Sequence, residues 1–182
     1  DSVMSIGHSA FERTEVYENK AYWEDGKVLY IDNYLIRANG ISGDYTIKDS
    51  TRVIANEAFS SCSSLTSITI PESVTSIGEY AFNGCSNLKT IELPDGTLSI
   101  GEGAFKNCKL FTKIELPDSI TDIGINAFSN CVNLEQINIP VNWETINGGN
   151  AVGPIWDGCE KLTSIVVPEG MEVLPTGAFA KC

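Results

Sequence analysis

The most reactive side chains in this 182-residue chain are six cysteines: Cys62, Cys85, Cys108, Cys131, Cys159 and Cys182. Regularly spaced thiols could form a metal-ligand set, a redox pair or a disulfide framework. Their gaps are 23, 23, 23, 28 and 23 residues. No Cys-x-x-Cys pair exists, so neither a zinc site nor a thiol-disulfide couple is supported. Each cysteine holds the same place in a repeat, so all six should point the same way. Stacked neighbours would then lie about 4.8 Å apart, whereas a disulfide wants a Cβ separation of roughly 3.5–4.5 Å. The expectation is a ladder of buried thiols, packed as small hydrophobes without bridges or metal.

Other chemistry is sparse. His8 stands at the repeat position of Glu79 and Glu102, which should face solvent. No nucleophile or orienting carboxylate can be placed beside it. No Gly-x-Ser-x-Gly, His-Glu-x-x-His or phosphate-loop motif occurs. Glu72, Asp95, Asp118 and Glu169 recur after prolines and could recruit calcium, but the calcium-binding nonapeptide pattern is missing and such charges ordinarily just solvate. Trp143 and Trp156 flank residues 147–154 (NGGNAVGP), as a carbohydrate platform would. They occupy the places of Val74 and Phe82, however, so packing is the favoured role. No catalytic residue, metal site or cofactor is expected, and the chain reads as a non-enzyme.

The elements that must hold these residues follow from the beat. Five of the seven prolines repeat with the cysteines, at Pro71, Pro94, Pro117, Pro140 and Pro168. Phe59, Phe82, Phe105 and Phe128 keep the same interval. A fixed period of this length marks an array of stacked units. In the unit IGEYAFNGCSNLKTIELPDGTLS (77–99), Leu88, Ile91 and Leu93 follow L-x-x-I-x-I, with Ile91 and Leu93 alternating as a half-buried strand does. Pro94 ends that strand because it cannot donate a ladder hydrogen bond. The Ala81-Phe82 pair, with Cys85 three residues on, predicts one short helical turn per repeat. Neither piece is stable alone, so each unit must bury its apolar face against the next. Ile68, Ile91, Ile114, Ile137 and Ile165 should form one column, and Leu65, Leu88, Phe111, Leu134 and Leu162 another. The fold class is therefore a β-rich leucine-rich-repeat solenoid, a right-handed superhelix of about 23-residue repeats with a short parallel strand and a helical turn in each.

A single domain is expected over 1–182. Residues 1–14 carry a partial repeat, since residues 3–11 match 74–82 position by position. Residues 15–40 are either a hairpin-like insertion or a degenerate repeat, with KVLYI (27–31) and YLIRA (34–38) flanking Asp32-Asn33. Residues 41–182 hold the regular repeats, with a five-residue insertion within 147–154. The chain begins and ends inside repeats without visible polar caps, so a segment of a longer array is expected.

Composition narrows the partners. A net charge of −12 argues against nucleic acid and anionic lipid. No run of 18 apolar residues is present, so no membrane insertion is expected. The surface best placed for contact is the exposed side of the parallel strands. Its columns are Ser67, Thr90, Lys113, Gln136 and Ser164, and beside them Thr46, Thr69, Glu92, Glu115, Asn138 and Val166. A curved solenoid sheet offers an extended binding surface, and these polar columns suit broad, modest-affinity contact. Residues 147–154 form a candidate contact loop, with Asn147, Asn150 and Pro154 as its candidate residues. A monomer is expected, although open ladder ends can pair end to end.

The stretch SLTSITIPESVTSIGEYAFNGCSNL, with its I-G-x-x-A-F-x-x-C core, resembles the BspA-like leucine-rich repeat. The resemblance covers residues 42–182 well and 1–14 in part, and residues 22–38 resemble the W-x-x-D-G-x-L-Y interruptions of bacterial members. It implies an extracellular, cell-surface bacterial protein that adheres to host matrix or cell-surface proteins or to neighbouring cells; carbohydrate is a second ligand class. It carries no catalytic residues over. Departures from the pattern are Phe111 for leucine, Lys48 for proline, Pro175 for glycine and the insertion. The alternative reading is a structural spacer within a larger surface protein.

Overall fold

A computed structural model describes residues 3, 5–7, 9–147, 154–171 and 174, with the backbone alone for 145–147. The chain winds into a β-solenoid of about five turns. All described helix precedes the repeats: one α-helical turn at Glu15–Glu18, capped by Thr14, and a 3-10 turn at Lys20–Tyr22. A hairpin follows, β1 (Val28–Ile31) and β2 (Tyr34–Ala38), joined through Asp32 at φ +51°.

The remaining strands are β3 (Gly43–Thr46), β4 (Val53–Ile54), β5 (Leu65–Thr69), β6 (Ser76–Ile77), β7 (Ser99–Ile100), β8 (Lys113–Ile114), β9 (Asp122–Gly124), β10 (Gln136–Asn138), β11 (Thr145–Asn147) and β12 (Ser164–Val166). They lie on two sides of the coil. One side is a seven-stranded sheet in the order β1-β2-β4-β6-β7-β9-β11, parallel after the first pair. Its register aligns Ile54, Ile77, Ile100 and Ile123, all buried. This sheet is additional to the strand expected from the sequence. Two or three residues before a glycine are too few to show alternation.

The other side carries the expected strands, but in two pieces, β3-β5 and β12-β10-β8. Residues 88–93 lie between the pieces and form no strand. The isoleucine column is nonetheless buried from Ile68 through Ile137, and Ile165 is half-buried. Leu65, Leu88, Phe111 and Leu134 are fully buried beside it, with Leu162 at its half-buried end.

The predicted helical turn in each repeat is corrected. The Ala-Phe-x-x-Cys corner is a run of tight turns in which backbone N–H groups alternate in direction. Ala81, Asn83 and Cys85 donate three residues back, to Gly78, Tyr80 and Phe82. Tyr80, Phe82 and Gly84 donate instead to Glu102, Ala104 and Lys106 of the next repeat, at 2.7–2.8 Å. A helix would spend all these donors within its own unit. The stack uses half of them between units, so the corner itself is a rung of the solenoid. The geometry requires positive φ every fourth residue: Glu57 and Ser61, Tyr80 and Gly84, Gly103 and Asn107, Asn126 and Asn130. Five of these eight positions are Asn or Gly, residues that tolerate the left-handed region.

Inside the corner, Phe59, Phe82, Phe105 and Phe128 stack with centroids 5.1–5.4 Å apart and planes within 14° of parallel. The thiols lie beside this stack. Cys85, Cys108 and Cys131 are buried and free, and each donates at 3.3 Å to the carbonyl of Phe59, Phe82 or Phe105 in the preceding repeat. Cys159 does the same to Phe128 at 3.1 Å. The cysteine column thus links units through its sulfurs without covalent bonds.

Candidate ligand-binding face

The strand-bearing side is held by buried residues of each L-x-x-I-x-I segment, which leave the intervening side chains outward. Register then assembles the predicted columns in two groups. Lys113, Gln136 and Ser164 are direct partners across β8, β10 and β12, and Asn138 faces Val166. Thr46 and Thr69 are partners across β3 and β5, with Ser67 opposite Asp44. Thr90 and Glu92 lie between these groups, exposed, in the segment that forms no strand.

A groove of about 830 Å³ opens there. Seven predicted residues line it: Thr90, Glu92, Lys113, Glu115, Gln136, Asn138 and Val166. Thr46, Ser67, Thr69 and Ser164 lie outside it. Lys89, Thr112, Asp95 and Asp118 line it as well, although none was expected on this face. The first two precede the alternating segment, so strand parity did not flag them. The aspartates, following Pro94 and Pro117, suggested calcium instead. Among the described residues no group of three His, Cys, Asp or Glu side chains is arranged to hold a metal.

The groove side chains are unequally available. Lys113 donates to Glu115 at 2.6 Å. That hydrogen bond, with the lysine charge, holds the Glu115 carboxyl below its ordinary range. Asn138 is committed elsewhere: its amide nitrogen donates to the Leu116 carbonyl and its oxygen accepts from the Leu116 N–H, both at 2.7 Å. It therefore completes a ladder step that the backbone leaves open. Glu92 and Asp95 make no ion pair among the described residues.

The candidate loop is described only at its edges. Asn147 ends β11, Asn150 lies outside the described residues, and Pro154 is half-buried with its carbonyl accepting from Asn126 N–H at 2.8 Å. Trp143 and Trp156 pack edge to face, centroids 5.9 Å apart, and are buried. His8, Pro175 and Cys182 lie outside the described residues.

Stacked units, paired strands and one polar open face define a leucine-rich-repeat solenoid, an architecture typically used as a non-enzymatic binding scaffold. The chain belongs to the BspA-type leucine-rich-repeat family, whose model matches six copies over residues 52–182. It is similar to the crystal structure of a T. pallidum leucine-rich-repeat protein, at 29% identity and a TM-score of 0.66, covering 82% of this chain and 80% of that one. A protein of Faecalibacterium prausnitzii described as a leucine rich cell surface protein is 30% identical, with a TM-score of 0.66 over 78% of this chain and 39% of that one. A Bacteroides ovatus leucine-rich-repeat protein is 29% identical, with a TM-score of 0.67 over 86% of this chain and 44% of that one. The chain thus spans less than half the length of the latter two proteins. No curated protein matches it significantly. Among the described residues no helix is long and apolar enough to cross a membrane.

Proposed function

We propose that this chain is a non-enzymatic, surface-displayed bacterial binding module that adheres to host matrix or cell-surface proteins. The observation carrying this reading is the groove on the strand-bearing face, where exposed Thr90, Glu92 and Lys113 sit on a rigid stack of buried columns. A stack whose interior is filled by phenylalanine and isoleucine offers its contact chemistry on the outside. Likeness to a cell-surface protein of F. prausnitzii supports the extracellular location. The test is binding of the chain to immobilised extracellular-matrix proteins and mucins across a salt series. Saturable binding that is lost in a Thr90→Arg/Gln136→Arg protein supports adhesion through this face. Binding to none of them, or binding indifferent to those substitutions, overturns it.

A further inference from the structure

Three asparagines in the chain precede glycine, at Asn39-Gly40, Asn83-Gly84 and Asn147-Gly148. The first two pairs are fully described, and the solenoid treats them in opposite ways. Asn83 is half-buried in a corner, where its side-chain oxygen accepts from the Asn107 amide at 3.1 Å. Gly84 N–H beside it donates to the Lys106 carbonyl at 2.8 Å, as one of the bonds between repeats. Asn39 stands instead where the hairpin gives way to β3. It and Gly40 are both exposed, and neither the Asn39 side chain nor the Gly40 N–H makes a hydrogen bond among the described residues. Space around the pair is open as well. A Cβ at Gly40 would meet nothing within 4 Å, and its φ of +62° is a conformation that glycine holds without strain.

We infer that Asn39 is a site of spontaneous deamidation through the Gly40 nitrogen, and that the fold spares Asn83. Solvent base removes the Gly40 N–H proton, and that nitrogen bonds to Asn39 Cγ. The bond from Cγ to Nδ2 then breaks, and ammonia leaves with a proton from water. The product is a five-membered succinimide, which a second water opens. Addition at Cγ gives aspartate, and addition at the Asn39 main-chain carbonyl gives isoaspartate. At Asn39 the attacking nitrogen has no hydrogen bond to give up and no Cβ beside it to slow its approach. At Asn83 the same attack requires breaking the bond from Gly84 to Lys106 inside the stack, which is a local opening of the solenoid. Either product adds a negative charge at the junction. Isoaspartate also routes the main chain through the former side chain, one methylene longer. That change falls between Ala38, whose N–H donates to the Ala58 carbonyl at 2.6 Å, and buried Ile41. The connection between the hairpin and the first regular repeat therefore ages chemically while the corners do not. The inference stands independently of the binding face.

The test incubates the folded chain in mildly alkaline buffer and follows the peptides carrying Asn39 and Asn83 by mass spectrometry after digestion. Conversion of amide to acid is read from the mass gain, and isoaspartate from its enzymatic methylation. In the folded chain Asn39 should convert at least about tenfold faster than Asn83, because only Asn83 waits on a local opening. In concentrated urea, where neither glycine N–H is held, the two rates should converge. An Asn39→Ser protein should yield no isoaspartate in the peptide that spans the junction. Equal conversion of Asn39 and Asn83 in the folded chain overturns the inference. So does an Asn39 that keeps its amide in the folded chain over the time in which the unfolded chain loses it.

Discussion

The rings of Phe82 and Phe105 stack with centroids 5.4 Å apart and planes 6° from parallel, in the middle of a column running from Phe59 to Phe128. Both rings are fully buried, and each contacts the repeat before and the repeat after it. Truncating one therefore opens a void shared by three units, which a one-dimensional stack cannot close from elsewhere. Phe105→Ala should destabilise the fold by about 3–5 kcal/mol, and Phe105→Leu by less. Urea unfolding followed by circular dichroism measures both. An alanine variant within about 1 kcal/mol of the parent would show that the column can collapse around the loss.

Close stacking of the corners makes a second demand. A Cβ at Gly101 would lie 2.5 Å from the backbone nitrogen of Glu79, and one at Gly78 would lie 2.5 Å from that of Asn56. The same atom at Gly96 would meet only Glu72 O, at 3.6 Å. Gly101→Ala should therefore cost about 1–3 kcal/mol through displaced backbone. Gly96→Ala should be neutral, or stabilising by up to about 1 kcal/mol, because it restricts only the unfolded chain. Equal melting temperatures for the two variants would contradict the close approach.

Most of the scaffold was legible because its columns are single residue types at a fixed interval. The burial of Ile91, Phe82, Cys85 and Trp156 followed from position in the repeat alone. The second sheet was not legible, because Ser76–Ile77 and its equivalents are too short to carry a period. The corner was misjudged as helical because Ala81, Phe82 and Cys85 have the spacing of one helical turn. The positive φ of Tyr80 and the inter-repeat bond from Phe82 N–H leave no trace in residue type. For the candidate face, strand parity places Glu92, Lys113, Gln136 and Asn138 on the outward side, and all four line the groove. The pairing of Asn138 with the Leu116 peptide leaves no trace in residue type.

Thr97 illustrates a position where the repeat points to a gain in stability. Its side chain is fully buried and its hydroxyl has no hydrogen-bond partner among the described residues. The equivalent residues in the two flanking repeats are Val74 and Ile120, both fully buried and apolar, while Thr51 one repeat further back is a second buried threonine. Removing an unsatisfied hydroxyl while keeping the branched shape recovers its desolvation penalty, so Thr97→Val should stabilise by about 1 kcal/mol. A rise in the urea midpoint at unchanged slope checks this. A fall would mean that the hydroxyl is satisfied in solution, for example by a buried water.

The thiol column predicts a loss of stability at alkaline pH. Burial pushes the Cys85 thiol from its ordinary value of 9.0 up to about 12. Burial also raises Cys108, and the neighbouring Cys159 thiol together with burial raises Cys131. A thiol whose folded pKa lies above its unfolded value favours folding fully below about pH 9. As pH rises further, the unfolded chain releases the proton first, so stability falls until the folded value is passed. For Cys85 that window runs from about 9 to about 12, and at pH 10 the loss amounts to about 1 kcal/mol. Urea midpoints at pH 8 and pH 10 should fall further for the parent than for Cys85→Ala, which lacks this titration although it is less stable overall. In a Cys182→Ser background, a thiol reagent at pH 8 should modify the half-buried Cys159 before the fully buried Cys85, Cys108 and Cys131. Rapid modification of Cys108 in the folded protein, or identical pH slopes for parent and Cys85→Ala, would show that the corners open far more readily than their inter-repeat hydrogen bonds imply.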